Sequence, residues 1–295
     1  MVEEKGLFDR ILKALTYTLA IGLGIMAILP FWNVLSISLS SRAAVEANIV
    51  TLWPIGLQFE NYQHVMGQPQ FMRSLMISIA RVVIGVSLQL LVCVLTAYPL
   101  CREGVDMPGR TAYKIFLIFG MLFSGGLIPY FLLLRDIRML NTFAVLVVPT
   151  SLSIFHAILI LNFFRGLPRE LAEAAEIDGA SHLDVLFRVF LPLSTPALMT
   201  VGLFAAVQQW NSWFDGLVFI RDAANRPLQS LLYSIVMQGG SDAEAVWGTI
   251  GQVSNLTPRG LAGAMLLFAA LPIMIVYPYI QRYFNTGLTL GAIKQ

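Results

Sequence analysis

The sequence predicts an all-α membrane protein, and three observations lead to this prediction. Hydrophobic residues make up 57% of the chain, charged residues make up 12%, and the mean hydropathy is +0.74. A soluble domain carries about 25% charged residues, so most side chains here must face lipid or a buried core. Several uncharged stretches also reach the roughly 20 residues that a helix needs to cross the hydrocarbon. The spans must be helical, because isolated strands in lipid would leave backbone groups unpaired.

Six apolar segments are long enough to span the bilayer. They are residues 14–41, 71–100, 115–134, 139–164, 189–214 and 260–281. Five of them contain no Asp, Glu, Lys or Arg, whereas the second has Arg73 near its start and Arg81 inside it. We therefore predict a polytopic protein with six transmembrane helices and with both termini on the same side.

Arg81 is the one charged residue well inside a predicted span. Such a residue is costly in lipid and is a candidate functional residue. The alternative is a structural role, in which Arg81 faces the bundle interior and pairs with a carbonyl or hydroxyl group. We favour the structural role, and we find no acid inside another span that could pair with it. The lack of such an acid argues against a proton-coupled carrier.

Proline and glycine predict bends within the spans. Proline is tolerated there when neighbouring helices or Ser and Thr side chains satisfy the freed carbonyl groups. Gly125-Gly126, in the third segment, allows either close helix approach or a local break. We therefore expect kinked spans, with prolines at Pro30, Pro129, Pro149, Pro192, Pro196, Pro272 and Pro278.

The polar stretch at residues 166–190 predicts a helical hairpin at one membrane surface, because apolar segments flank it. Pro168 suits the first turn of one helix, where its missing N–H would be unsatisfied anyway. Asp178-Gly179 breaks the chain, and Gly179 is expected to need a positive φ. Ser181 with Asp184 three residues later resembles a capping box that starts a second helix.

Lys and Arg in the connections predict the side on which this hairpin lies. If the N-terminus is cytoplasmic, eleven Lys and Arg lie inside and seven lie outside, with Arg81 in neither group. Cytoplasmic connections carry the excess of these residues. Both termini and the hairpin are therefore expected on the cytoplasmic side.

The hairpin also carries a motif with fixed spacing. Glu173-Ala174-Ala175 is followed after three residues by Gly179 and after nine more by Val189, one residue before Leu191-Pro192. This pattern resembles the EAA loop of ABC-importer permease subunits, which usually have Ile where Val189 stands. There the loop forms a coupling helix that docks into a groove on a cytoplasmic ATPase, whereas the alternative here is an ordinary hairpin. The resemblance implies ATPase coupling by Glu173, Ala174, Ala175, Asp178, Gly179 and Pro192.

The C-terminal stretch is similar to the tail of sugar permeases, which has the form QRYF…GLTxGAVK. Residues 281–284 read QRYF and residues 287–294 read GLTLGAIK. In that family, the tail of one permease subunit runs into the ATPase dimer interface. The alternative is a frayed terminus. The resemblance implies interface contacts by Gly287, Leu288, Thr289 and Gly291.

Two outward-facing stretches add candidate contact residues. The fifth segment ends in aromatic and amide residues, which either line a sugar pathway or form an interfacial belt. A later loop resembles one that reaches into the docked solute-binding protein in maltose-type permeases, although a solvated connector is equally consistent. The candidate pathway residues are Gln209, Trp210, Asn211 and Trp213. The candidate binding-protein contacts are Gly239, Gly240, Ser241 and Asp242.

Several kinds of chemistry are missing from the chain. No GxxxxGK[ST] phosphate-binding loop is present, so the chain cannot bind ATP in that way. The three His and two Cys have no metal-ligand spacing, and no nucleophile–base constellation is visible. The net charge of +2 gives no reason to expect nucleic acid. We expect no enzymatic activity, metal or cofactor in this chain, with ATP and Mg²⁺ bound by a partner ATPase.

Taken together, the chain is identified as a member of the maltose-type permeases of carbohydrate ABC importers. The resemblance implies one type I importer permease domain over residues 1–295, with a core at about 71–282, the hairpin at 166–190 and a tail at 283–295. It implies the bacterial cytoplasmic membrane, with membrane lipid, a second homologous permease (a heterodimer), an ATPase dimer and an extracytoplasmic solute-binding protein as partners. The expected substrate is an oligosaccharide or polysaccharide, with acidic ones such as alginate among the candidates.

Two other classes of transporter remain as alternatives. An ABC permease for amino acids or metals would share the hairpin motif but not the tail. A secondary transporter or channel would need intramembrane acids or an ion-binding pattern, and it would not need the acidic hairpin.

Overall fold

The computed structural model describes residues 7–102, 107–238 and 256–292, and the side chains of residues 10–102, 107–237 and 256–275 among them. Within these ranges all regular structure is helical, which confirms the predicted all-α class. The α-helices are α1 (Leu7–Ser38), α2 (Arg42–Glu46), α3 (Glu60–Gly67), α4 (Pro69–Cys101), α5 (Arg110–Leu122), α6 (Leu127–Asp136), α7 (Ala144–Val147), α8 (Ile154–Arg165), α9 (Arg169–Ile177), α10 (His182–Val185), α11 (Leu191–Leu193), α12 (Thr195–Asn211), α13 (Phe214–Phe219), α14 (Leu228–Tyr233) and α15 (Pro258–Ala292). Short π-helical or 3₁₀ stretches occur at Leu186–Phe190, Ala223–Asn225 and Ser234–Gln238.

Three continuous helices are long and apolar enough to cross a membrane. They run over Arg10–Ser38, Pro69–Cys101 and Pro258–Ile275 among the described residues. Two bent helix pairs raise the number to at most five if each pair counts as one span. Of the six predicted segments, three are continuous helices among the described residues, two are bent pairs, and the fourth holds only shorter helices, so the bends expected from proline and glycine are present.

The third predicted segment is broken at the glycine pair, which is the second of the two predicted alternatives, close helix approach or a local break. The chain bends by 116° between α5 and α6. Gly126 has φ 84° and ψ 168°, a backbone conformation that is open essentially to glycine alone. The break therefore depends on the residue type at this position.

The fourth predicted segment, residues 139–164, is divided rather than continuous. Only α7 and the 12-residue α8 are helical within it. Pro149 lies between them, where it has no backbone N–H to continue the helical hydrogen bonds. The Ser153 side chain then accepts a hydrogen bond from the His156 amide and starts α8.

The fifth predicted segment bends by 80° between the hairpin-side helices and α12. Pro196 has no N–H to donate, and the Thr195 hydroxyl instead donates to the Pro192 carbonyl at 2.8 Å. The Pro192 carbonyl is the one that Pro196 deprives of its helical donor, so this bond confirms the expectation that hydroxyl side chains satisfy carbonyls freed by proline.

The contacts divide the chain into two compact units. One unit comprises residues 1–69 and 235–270. Within it, Asn61 Nδ2 donates to the Ser38 carbonyl at 2.8 Å, and the Ser38 and Tyr62 hydroxyl oxygens are 2.6 Å apart. Gly260 allows this close packing, because a Cβ there would lie 2.7 Å from Asn61 Nδ2.

The other unit comprises residues 70–234 and 271–295. Its largest described core lies beneath the predicted hairpin and combines residues of α4, α8 and the π-helical stretch. Tyr98 and Phe164 both meet Phe190 edge-on, with ring centroids 5.2 and 5.3 Å apart. This packing gives the hairpin a rigid support.

Candidate functional site

The hairpin has the two-helix form that the sequence predicts. Helix α9 ends at Ile177, and Gly179 follows with φ +85°, which confirms the predicted positive φ. The Gly179 amide donates to the Glu176 carbonyl and the Ala180 amide donates to the Ala175 carbonyl, as in a Schellman motif. Pro168 lies immediately before α9 rather than in its first turn. The corner is therefore defined by local hydrogen bonds.

The second helix begins with the predicted capping box. Ser181 Oγ accepts a hydrogen bond from the Asp184 amide at 3.2 Å, and Asp184 Oδ2 accepts one from the Ser181 amide at 3.3 Å. The Ser181 hydroxyl also donates to Asp184 Oδ2 at 2.6 Å. These bonds, and then the nearby Arg188 guanidinium, hold the pKa of Asp184 below its usual value.

The hairpin is tied to the end of α4 by polar contacts. Arg102 forms an ion pair with Glu176, and His182 Nδ1 lies 3.6 Å from the same carboxylate. The Tyr98 hydroxyl donates to the His182 carbonyl at 2.9 Å. These contacts connect both halves of the hairpin to the end of the long helix α4.

One face of α9 lines a cavity of about 290 Å³ that contains both signs of charge. Arg169, Ala172, Glu173 and Glu176 come from α9 itself. Arg102 and Arg165 lie across the cavity from them, at the ends of α4 and α8. The structure thus places Glu173 among arginines of its own chain, and its predicted contact with an ATPase stays a prediction.

The hairpin also exposes large apolar side chains. Leu171, Ile177, Leu183 and Phe187, here called the apolar hairpin residues, are 44%, 86%, 61% and 54% exposed. Ala174 is also exposed, whereas Ala175 packs against the core beneath. Large apolar residues concentrated on a polar surface element indicate an interaction site.

The other predicted site residues are distributed over the fold. Gln209 and Trp210 are buried within the chain, whereas Asn211 and Trp213 are exposed. Pro192 is the second residue of α11. Residues 287–291 form the last turns of α15, but their side chains lie outside the described residues. The predicted binding-protein contacts at 239–242 also lie outside the described residues.

Sequence reasoning missed an acidic partner of Arg81. The guanidinium forms an ion pair with Asp215 and also donates to Gln209 Oε1 at 2.9 Å and to the Ser212 carbonyl at 3.3 Å. A carbonyl partner was predicted, and the Ser212 carbonyl is one. The search for an acid found none inside another span, and the acid that pairs with Arg81 lies just outside one. Asp215 lies one residue beyond the fifth apolar segment, so a search limited to segment interiors excluded it. A search of the segment ends would have included it.

The corner glycine gives a testable prediction for the hairpin. Gly179→Val should cost about 1–2 kcal/mol of local stability, because a side chain with a Cβ is strained at positive φ. Apart from the two neighbouring residues, no atom of the described part of the chain lies within 4 Å of the site where a Cβ would stand, so this cost arises from the backbone. Hydrogen exchange of the α9 and α10 amides in the solubilised protein should accelerate roughly 5–30-fold.

Gly179→Asn is the matched control, since Asn tolerates the left-handed region better than Val does. It should leave the exchange rates close to those of the wild type. Equal rates for the Val variant and the wild type would show that the corner does not depend on glycine.

Comparison with known proteins agrees with the motif in the hairpin. Residues 107–290 match the family described as the binding-protein-dependent transport system inner membrane component. Protein LplC of Bacillus subtilis (strain 168) is 37% identical over 273 residues, which cover 92% of this chain and 91% of that protein. The polygalacturonan/rhamnogalacturonan transport system permease protein YtcP, from the same organism, is 32% identical over 286 residues, which cover 97% and 99%.

A solved structure supports the same assignment. It is the crystal structure of a bacterial ABC transporter involved in the import of the acidic polysaccharide alginate. One of its chains superposes with a TM-score of 0.89 at 30% identity, covering 96% of this chain and 100% of that one. This chain therefore belongs to the family of inner membrane components of binding-protein-dependent transport systems.

Proposed function

We propose that this chain is a permease subunit of an ATP-driven ABC importer for an oligosaccharide or polysaccharide, with acidic saccharides as the first candidates. The hairpin is the observation that carries the proposal, since it combines the motif spacing with exposed apolar residues. The family assignment supports a transport role. The names of the similar permeases and of the alginate importer support the saccharide, and its acidic character in particular.

The arrangement of the hairpin supports a coupling role. The apolar hairpin residues would dock into a groove on a cytoplasmic ATPase dimer, which binds ATP and Mg²⁺. Closure of the ATPase would move the hairpin, and the ion pair between Glu176 and Arg102 would pass the movement to α4. The spans would then alternate between outward and inward access.

The proposed assembly has further parts. A second homologous permease would complete the pathway as a heterodimer, and an extracytoplasmic solute-binding protein would deliver the saccharide. The complex would lie in the bacterial cytoplasmic membrane, with the hairpin on the cytoplasmic side. The tail of α15 would reach the ATPase interface.

Reconstitution of the complex tests the proposal. The chain would be co-expressed with a homologous permease and an ATPase, purified in mild detergent, and placed in vesicles with the binding protein. We expect the ATPase to co-purify and labelled uronate oligosaccharides to enter the vesicles only with ATP. Uptake driven by an ion gradient without ATP would instead indicate a secondary transporter. ATP-driven uptake of an amino acid or metal but of no saccharide would indicate a non-sugar ABC permease.

Glu173→Lys gives a second test in the same vesicles. The change adds a positive charge to a cavity already lined by Arg102, Arg165 and Arg169. It also reverses the charge that would meet the ATPase. We expect saccharide uptake to fall at least tenfold while ATP hydrolysis continues, so that the two become uncoupled.

Glu173→Gln is the control for this variant, because it removes the charge with little change in shape. It should lower uptake less than Lys does. Normal uptake by Glu173→Lys would reject the coupling role of Glu173.

A further inference from the structure

A buried polar cluster joins α4 to the end of α12. Arg81 is 1% exposed, and its guanidinium donates to both carboxylate oxygens of Asp215. Its Nε donates to Gln209 Oε1 at 2.9 Å, and Gln209 Nε2 donates to Thr150 Oγ1 at 2.8 Å. Gly85, one turn after Arg81, allows this arrangement, since a Cβ there would lie 3.1 Å from the Gln209 amide.

This cluster satisfies backbone groups at a break in the fifth segment. Helix α12 ends at Asn211, and α13 begins at Phe214. The Ser212 carbonyl accepts from Arg81 at 3.3 Å, and the Trp213 carbonyl accepts from Ser230 Oγ at 2.7 Å. Non-helical backbone in a membrane segment is tolerated only where it is buried in protein or lines a water-filled space. The break is therefore supported by specific side chains.

Asp215 also contributes to the break from the other side. Its Oδ1 accepts from the Gly216 amide at 2.9 Å and from the Ser212 hydroxyl at 3.0 Å. The carboxylate thus holds both flanks of the two-residue break, while its charge balances Arg81. Removal of Asp215 alone would leave the buried Arg81 guanidinium without an opposite charge, which is strongly unfavourable.

The break presents aromatic rings beside the cluster. Trp213 is stacked on Tyr233 with ring centroids 4.0 Å apart and planes inclined by 10°. Phe214 meets Trp213 edge-on at 5.8 Å. Both Trp213 and Phe214 keep exposed surface, at 38% and 46%. An exposed and pre-positioned aromatic pair of this kind can bind the apolar face of a sugar ring.

We propose that the Arg81–Asp215 ion pair is a positioning device that keeps the fifth segment broken at Ser212–Trp213 and so presents Trp213 and Phe214 to the transported saccharide. The saccharide in this statement rests on the proposed function, whereas the control of the break by the ion pair does not. Without the pair, the Ser212 carbonyl would lose its hydrogen bond from Arg81, and the Ser212 hydroxyl would lose its hydrogen bond to Asp215. The helix could then continue through the break and turn Trp213 away.

The test replaces both charges at once. Arg81→Met with Asp215→Leu removes the pair without leaving an unpaired charge, an exchange that buried ion pairs often tolerate. Arg73→Met is the matched control, because Arg73 is an exposed arginine of the same helix. Uptake, its KM and Vmax, and ATPase co-purification are measured for each. We expect the double variant to assemble normally but to lose at least tenfold in uptake per assembled complex, with a raised KM for saccharide.

A thiol probe reports the break itself. Phe214→Cys is introduced after Cys93 and Cys101 are changed to Ala, and its reaction with a membrane-impermeant maleimide is timed without solute and with saccharide. We expect reaction with the ion pair intact, partial protection by saccharide held on the remaining ring of Trp213, and at least a fivefold change in the solute-free rate in the double variant. If the double variant does not reach the membrane, Arg81→Lys replaces it, because Lys keeps the charge but loses the two-pronged contact.

Three outcomes overturn the proposal. Uptake within twofold of the Arg73→Met control would show that the pair only neutralises buried charge. If the double variant loses uptake but its thiol reacts at an unchanged rate without solute, the ion pair does not control the break. If the rate changes but uptake is normal, the break does not matter for transport. A failure of the proposed function would give a different result. Saccharide would then not slow the maleimide reaction in any variant, while the reaction rate without solute would still change in the double variant.

Discussion

Ile177→Asp is expected to release the ATPase from the permease. Ile177 is 86% exposed at the end of α9, so it adds almost nothing to the packing of its own chain. Burial of such a side chain at an interface contributes about 1.5–3 kcal/mol, and a carboxylate in its place would also have to lose its hydration. Each 1.4 kcal/mol is tenfold in affinity, so we expect at least a tenfold loss. Co-purification of the ATPase at matched membrane expression measures it.

Ile177→Val is the matched control, because it keeps an apolar side chain at the same position. It should retain the ATPase nearly as well as the wild type. Since Ile177 is almost fully exposed, neither change should alter the amount of permease in the membrane. Wild-type recovery of the ATPase with Ile177→Asp would mean that the apolar hairpin residues are not the docking surface.

Gly216→Ala is expected to have the largest effect on stability. A Cβ at this position would lie 2.1 Å from Ser230 Oγ and 2.8 Å from Pro227 Cδ, far closer than atoms can approach. Ser230 is fully buried, and its hydroxyl holds the Trp213 carbonyl, so it cannot move without loss of that bond. Overpacking of this kind costs about 1–3 kcal/mol. The unfolding temperature of the detergent-solubilised protein should fall by several degrees, because about 1 kcal/mol shifts the Tm of a 150–250-residue domain by roughly 2–4 °C.

Gly202→Ala provides the comparison within the same unit. Gly202 lies in the interior of α12, and a Cβ there would make an ordinary contact of 3.4 Å with Leu90. Alanine is favoured over glycine in a helix, so this variant should be neutral or slightly more stable. A Gly216→Ala protein as stable as the Gly202→Ala protein would contradict the packing described around Ser230.

The hairpin was predictable because its signals are local. The glycine that ends α9 and the Ser181–Asp184 capping box act within three or four residues of chain, and the spacing of the motif fixes both helices. Arg81 and Asp215 are 134 residues apart, and no local pattern links them. They pair because a buried charge needs an opposite charge nearby, and the position of that opposite charge cannot be read from the sequence alone.

The sequence predicted which segments are apolar enough for the membrane, but not which of them form one unbroken helix. Apolarity runs unbroken through residues 139–164, yet only α7 and α8 are helical there. Hydropathy records the transfer of side chains from water, whereas helix continuity depends on backbone N–H donors, and Pro149 has none. The Thr150 hydroxyl donates instead to the Val147 carbonyl at 3.0 Å. Gly125-Gly126 was correctly identified as a point of freedom, but both close approach and a break were compatible with it. The φ of Gly126 decides for the break.

A copy of this subunit inserted alone would meet a penalty from the lipid at the break between α5 and α6. Phe123, Ser124 and Gly126 are exposed there, and among the described residues the amides of Ser124 and Gly125 have no hydrogen-bond partner. In hydrocarbon each such group costs several kcal/mol, whereas water or a neighbouring subunit in a finished transporter can satisfy it. The bilayer itself therefore disfavours the orphan subunit relative to the assembled one. In the proposed heterodimer, contact of the second permease with this break would remove a penalty that the subunit carries when it is alone in the bilayer.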